Sequence, residues 1–305
     1  MIDILISSVT QGAVWAVMAI GVYITFRLLD IPDLTAEGTF PLGAAIAAVL
    51  MSQGVSPVLA TLAATAGGAL GGLVAGLIHT KMYIPPLLTG ILVLTGLYSI
   101  NLHVMEGRPN ITLLNVDTIY TPIQETFNLT KNMAVLVVSF IVLAIVISLL
   151  VLFLHTEIGL ALRSTGDNTE MSEANGINTN SMKTLGYMIG NGLIALSGAM
   201  IAQKDGYSDI QMGIGTIVIG LASVIIAEVI LKDLTIGRRL TTIILGSIIY
   251  RLIIDLILNQ PIIPIQTTDL KLFSAILLAL ILYFPEFQAR RNSRRQLAKA
   301  NQGGQ

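Results

Sequence analysis

Apolar runs alternate with short polar stretches along most of the chain. The runs cover residues 4–26, 39–51, 56–79, 86–103, 133–155, 184–202, 213–231, 240–258 and 270–284. A straight crossing of the bilayer core takes about 20 residues; most runs reach that length, and 39–51 falls short. The pattern predicts an all-α polytopic membrane protein with about nine transmembrane helices, eight to ten, forming a single domain over residues 1–305. Within 56–79, GGALGGLVAG sets Gly68, Gly72 and Gly76 on one helix face at small-xxx-small spacing, which predicts close helix packing, inside the subunit or else at an interface between subunits.

The longest polar interruption after the middle of the chain is 156–183, TEIGLALRSTGDNTEMSEANGINTNSMK. It holds Glu157, Arg163, Asp167, Glu170, Glu173 and Lys183, with Gly166 and Gly176 breaking an otherwise helical rhythm. Such a polar helix-turn is not stable in lipid and must face water. It reads as a surface where something outside the membrane docks and moves the spans on either side.

Two further stretches predict broken elements. In 29–43, LDIPDLTAEGTFPLG, three acids (Asp30, Asp33, Glu37) lie among apolar residues, and Pro32, Gly38 and Pro41 argue against a continuous helix. A short helix over 42–51 would then aim its first N–H groups at whatever lies ahead. The stretch 203–215, QKDGYSDIQMGIG, leads into 216–231 with the same order of acids, glycines and a small-residue helix. Their leading helices are the first and the sixth, an odd offset that turns one unit upside down relative to the other. That fits an inverted repeat, whose broken helices mark a substrate path; the alternative is that both are ordinary turns with acidic caps.

Composition fits this picture. Of the 305 residues 54% are hydrophobic and 11% charged, at a mean hydropathy of +0.80, against about 25% charge in soluble domains. A net charge of −1 with no basic, aromatic-studded patch gives no sign of nucleic acid. The absence of cysteine excludes disulfides, thiolate catalysis and Cys-based metal sites. The N-terminus has no basic n-region or clear cleavage site, so the first run is expected to stay as a span. Twelve of the seventeen Lys and Arg fall in the tail 285–305, 232–239, 156–183 and the turns at Lys81 and Arg27. These alternate to one side, which the positive-inside rule makes cytoplasmic. The long loop 104–132 on the other side is expected to form a small cap. Arg251 and Asp255, one helical turn apart within a span, read as a self-paired bridge. His79, His103 and His155 each end a different span and suggest no metal site. No phosphate-binding G-x-x-x-x-G-K-[ST] occurs, nor any G-x-S-x-G or H-E-x-x-H, so the chain is not expected to be an enzyme and the energy for active transport must come from a partner.

The island GLALRSTGDNTEMSEANGIN with the following TLGYMIGNGLIALSGAMIAQ resembles the coupling region of ABC-importer permeases of the branched-chain amino acid and ribose type. The stretch GAVWAVMAIGVYITFRLLDIPDLTAEGTFPLGAAIAA is similar to the early signature of the same group, in the form of the tryptophan and aromatic amino acid importers. The resemblance implies a prokaryotic cell-membrane permease subunit, a homodimer with a second permease copy, that works by alternating access. It also implies a cytoplasmic ATPase subunit carrying ATP and Mg, no cofactor in this chain, and an extracellular or periplasmic solute-binding protein. ATPase coupling falls to Arg163, Ser164, Thr165, Gly166, Asp167, Asn168, Glu170, Met171 and Gly176. The substrate pathway falls to Asp30, Asp33, Thr35, Glu37, Thr39, Phe40, Asp209 and Gln211, with Glu37 meeting an amino acid's amine and the helix start near Thr39 its carboxylate. The alternatives are a secondary carrier or channel for a small polar solute, or an importer of a sugar or nucleoside.

Overall fold

The computed structural model describes residues 2–231, 235–258, 272–281 and 283. Helix α1 (Ile2–Val22) runs into a π-helical turn, Tyr23–Leu28, and is followed by α2 (Ala36–Ser52), α3 (Pro57–Lys81) and α4 (Pro86–Val104). A strand β1 (Asn110–Thr112) and helix α5 (Thr121–Thr126) lie in the long loop before α6 (Lys131–Leu154). Next come α7 (Glu157–Asp167), α8 (Thr169–Ala174), α9 (Thr179–Asp205), β2 (Tyr207–Asp209), α10 (Thr216–Ile230), α11 (Ile236–Leu258) and α12 (Leu272–Ile281). Six helices are long and apolar enough to cross a membrane among the described residues, and α2, α10 and α12 are shorter apolar helices. The expected basic tail lies outside the described residues.

Helices α1 and α9 form the buried centre, while α4 and α6 present most of their surface outward. Glycine decides how closely α3 approaches α9. A Cβ on Gly68 would meet the Asn191 carbonyl at 2.6 Å, one on Gly72 would meet the Tyr187 carbonyl, and one on Gly76 would reach Thr184 Cα at 2.8 Å. The glycine stripe is therefore consumed within the subunit, the first of the two packings its spacing allows.

Pairwise contacts fix the directions of the short helices. Gly12 meets Ile248 and Ser8 meets Asp255, so α11 runs antiparallel to α1. Gly21 packs on Gly190 and Ser197 donates to the Val14 carbonyl, so α9 is antiparallel to α1 as well. Thr39 bonds Asn191 and Gly43 packs on Ala195, which sets α2 parallel to α9. Gly220 packs on Val22 and Arg27 pairs with Glu228, which sets α10 parallel to α1. Helices α2 and α10 thus run in opposite senses with their N-termini together, the relation an inverted pair requires.

One local expectation fails. Helix α2 begins at Ala36 rather than near Leu42 and passes through Pro41 without a break. The carbonyl that Pro41 leaves without a helical donor belongs to Glu37, and Gly213 packs directly against it with no side chain between. Proline is tolerated within buried apolar helices where the surrounding protein accommodates the freed backbone group. The interruption lies instead at 29–35, after the π-helical turn.

Candidate functional site

The polar island folds as two helices set end to end. Thr156 accepts from the Gly159 N–H at 3.2 Å to cap α7, and Asn168 accepts from the Met171 N–H at 2.9 Å to cap α8. Asn178 does the same for α9 through the Ser181 N–H at 3.1 Å. Asn168 has extended backbone and serves both as the end of α7 and as the start of α8, so the bend between them is built by one side chain. Gly176 adopts φ +83°, the left-handed turn that sends the chain into α9.

The nine predicted coupling residues divide by exposure. Asp167, Asn168, Glu170, Met171 and Gly176 are exposed, beside the exposed Ile158 and Leu160. Thr165 is buried, and Gly166 lies against the carbonyl and Cα of Leu28 and Leu29, just where the π-helical turn ends. Arg163 and Ser164 are half-buried, with Ser164 accepting from Ser172 across the bend at 3.2 Å. The island therefore offers one face to solvent and rests its other face on the break after α1. At the same end of the bundle, Arg27 and Glu228 join the π-helical turn to α10 at 2.5 Å, and Thr80 meets Thr184 at 3.3 Å.

The break itself is organised by a buried polar hub. Asp33 Oδ1 accepts from the Thr35 N–H at 2.9 Å, and Asp33 Oδ2 accepts from Asn191 Nδ2 at 2.7 Å. Thr39 Oγ1 donates to Asn191 Oδ1 at 2.7 Å. Asn101 on α4 donates to the Gly38 carbonyl at 3.1 Å. Asp33, Thr35, Thr39 and Asn191 are all buried, so these bonds are made where water does not compete. Phe40 stacks on Trp15 with centroids 5.3 Å apart and planes at 17°. Glu37, half-buried near the start of α2, accepts from the Gly215 N–H at 2.9 Å. Its negative charge lies across the positive ends of both α2 and α10, which is where a carboxylate is stabilising. Asp30 is exposed at the head of the break with φ +55°.

At the opposite end, β1 and β2 pair antiparallel, with Ile111 opposite Ser208. Tyr120 donates to the Met200 carbonyl at 2.9 Å, and Gln203 bridges the Ile119 N–H at 2.9 Å and Thr61 at 2.8 Å. Burial, with Asp205 beside it, pushes the Tyr120 phenol above its ordinary value. Asp209 accepts from the Gln211 N–H at 2.7 Å and bends the chain inward toward Gly213–Gly215. A cavity of about 430 Å³ opens beside this bend, lined by Trp15, Tyr207, Thr216, Tyr250 and Arg251 among others. Arg251 Nε lies 3.5 Å from Asp255, as the self-paired reading expects, and Asp255 also accepts from Ser8 at 2.6 Å.

The structure thus brings Asp33, Thr35, Glu37, Thr39 and Phe40 together at the meeting of two short helices. It holds Asp209 and Gln211 in the bend above them and leaves Asp30 at the island end. Asn191, Asn101 and Trp15 escaped the sequence reading. Asn191 carried a usable signal, an amide between glycines in an otherwise apolar span.

The family described as branched-chain amino acid transport system, permease component, matches residues 4–284. A tyrosine transport system permease protein of Clostridioides difficile (strain R20291) is 44% identical over 274 residues, covering 90% of this chain and 88% of that one. An uncharacterized protein of Rickettsia prowazekii (strain Madrid E) is 33% identical over 280 residues, covering 90% and 95%. No solved structure matches the chain.

Proposed function

Since the chain belongs to the family of branched-chain amino acid transport system permease components, we propose that it is the membrane subunit of an ABC importer that moves an amino acid, an aromatic one favoured. The observation that carries this reading is the exposed face of α7 and α8, backed at Gly166 by the end of the first span and continuous with α9. A docked ATPase, binding ATP and Mg on its own chain, closes and displaces this pair of helices. The displacement reaches the break through Leu28–Leu29 and the hub through Asn191, and the solute passes from a binding protein seated on the end that carries the β1–β2 sheet. The island end, with Arg27 and Lys81, faces the cytoplasm together with the arginine-rich tail, and two permease copies enclose the path in a prokaryotic cell membrane. The name of the 44% identical relative supports an aromatic solute.

In this scheme Asp33, Thr35, Thr39 and Phe40 shape the pathway by fixing where α2 starts. Glu37 ties α2 to α10, so its carboxylate is engaged by Gly215 in the state described here. Asp30, Asp209 and Gln211 turn the chain at the two ends of the path. The test is reconstitution with a cytoplasmic ABC ATPase and a solute-binding protein, followed by uptake of labelled tyrosine. Uptake that requires ATP and both partners is expected. Uptake by the purified chain alone down an ion gradient, or passive flux without ATP, would overturn the reading in favour of a carrier or a channel.

A further inference from the structure

We propose that the cavity beside the inward bend is a resting site for the transported aromatic amino acid, with Arg251 binding its carboxylate and Trp15, Tyr207 and Tyr250 walling its ring. This rests on the transport reading above. The volume, about 430 Å³, falls in the range of small-molecule sites, roughly 300–1,000 Å³. Its wall combines three aromatic side chains with one cation, so the ring and the carboxylate of an aromatic amino acid each have a counterpart there.

Arg251 lines the cavity and, among the described residues, is held only by a long ion pair with Asp255. Its side chain is 18% exposed, and its Nε makes no hydrogen bond among the described residues. The Asp255 oxygen nearest to it stands 3.5 Å away, while the other oxygen of Asp255 accepts from Ser8. A guanidinium has five N–H donors in a planar fork suited to a carboxylate. The start of α10 also lines the cavity through Gly215 and Thr216, but Glu37 already covers the Gly215 N–H. Arg251 is therefore the cation left for an incoming anion. On the ring side, Trp15 is stacked on Phe40, so its indole is held in place before a ligand arrives. Tyr207 belongs to β2 and connects the site to the β1–β2 sheet, the end from which the solute enters in the proposed cycle.

The chain contains a single tryptophan, Trp15, which makes the site observable in the full-length protein in lipid nanodiscs. L-Phenylalanine is titrated while tryptophan emission is followed, with phenethylamine, which lacks the carboxylate, as the comparison ligand. A saturable change is expected with phenylalanine, and affinity for phenethylamine is expected to be weaker by about tenfold or more. Arg251→Met should bring phenylalanine down to the affinity of phenethylamine, and Arg251→Lys should recover part of the loss. Because Arg251→Met alone strands the Asp255 charge, the pair Arg251→Met/Asp255→Asn keeps the test valid if the single variant fails to fold. Equal response to both ligands, unchanged affinity in the paired variant, or no saturable response in the wild type would each overturn the site. If any of these occurs while the assembled transporter still takes up tyrosine with ATP, the cavity assignment fails and the transport reading stands. If the assembled transporter shows no uptake, it is the transport reading that fails.

Discussion

Gly166 is where the island touches the rest of the molecule most tightly, and Gly166→Ala tests whether that contact carries motion. A Cβ built there would lie 2.8 Å from the Leu28 carbonyl carbon and 3.0 Å from Leu29 Cα, with the Leu28 carbonyl oxygen closer still. Carbon atoms pack favourably at about 3.5–4.0 Å, so α7 must retreat from the break by roughly 1 Å. The obstacles are backbone atoms, which no side-chain rotation relieves. Overpacking of this kind costs about 1–3 kcal/mol, so the protein should fold with a lowered Tm while the island stands away from Leu28. In the reconstituted importer the variant should still stimulate ATP hydrolysis, because the outward face of α8 is untouched, but move several-fold less tyrosine per ATP. Gly96→Ala is the control: it adds the same methyl in a helix with nothing within 4 Å and should leave transport unchanged. If Gly166→Ala keeps the wild-type ratio of uptake to hydrolysis, force does not pass from the island to the break, and the coupling scheme is wrong.

Two further outcomes follow from the polar contacts. Asn191→Ala removes the donor to Asp33 and the acceptor for Thr39 in one step; about 1–3 kcal/mol should be lost, read as a lower Tm in detergent, and faster proteolysis at 29–35 would place the damage at the break. Tyr120 gives a pH signature. Its folded-state phenol holds the proton above the ordinary value of 10.0 that the unfolded chain keeps, so above that pH the unfolded state binds fewer protons and stability falls as pH rises. Tyr120→Phe should remove this part of the alkaline loss and cost about 1 kcal/mol at neutral pH, because the Met200 carbonyl loses its donor.

Much of the architecture was legible because lipid imposes simple rules on sequence. Apolar length placed the spans, and the polar island at 156–183 had nowhere to go but water. The glycine spacing in α3 foretold its contact with α9, since in lipid close backbone approach is a main source of helix attraction. What was not legible depended on contacts between distant parts of the chain. Pro41 suggested a break because its own residue cannot donate, yet the helix runs through it, packed closely by Gly213, which lies more than 170 positions away. The pairing of β1 with β2 was hidden for the same reason, each strand being only three residues long. Arg251 and Asp255 were readable as a pair from their spacing, but the cavity beside Arg251 exists only once α1, α10, α11 and α12 assemble around it.

In the proposed scheme helix α9 is what links events at the two ends of the bundle. It starts at the Asn178 cap beside the island and is capped at its far end by Gly206, a left-handed residue that leads into β2. At 27 residues it is about 40 Å long, and it carries Asn191 of the hub near its middle. Along that length its neighbours approach through glycine, Gly21 and Gly43 onto its carbonyls from two sides and Gly68 and Gly72 from a third. Contacts made backbone to backbone leave no flexible side chains to absorb a displacement, so such packings tend to switch between discrete arrangements instead of deforming. A push on α7 and α8 therefore has two rigid outlets, the break through Leu28 and the full length of α9. Both converge on the short helices tied by Glu37 and Gly215. If the island docks an ATPase as proposed, loosening that tie without altering the island should change uptake per ATP while ATPase docking stays as it was, and this separates transmission through the bundle from damage to the proposed docking face.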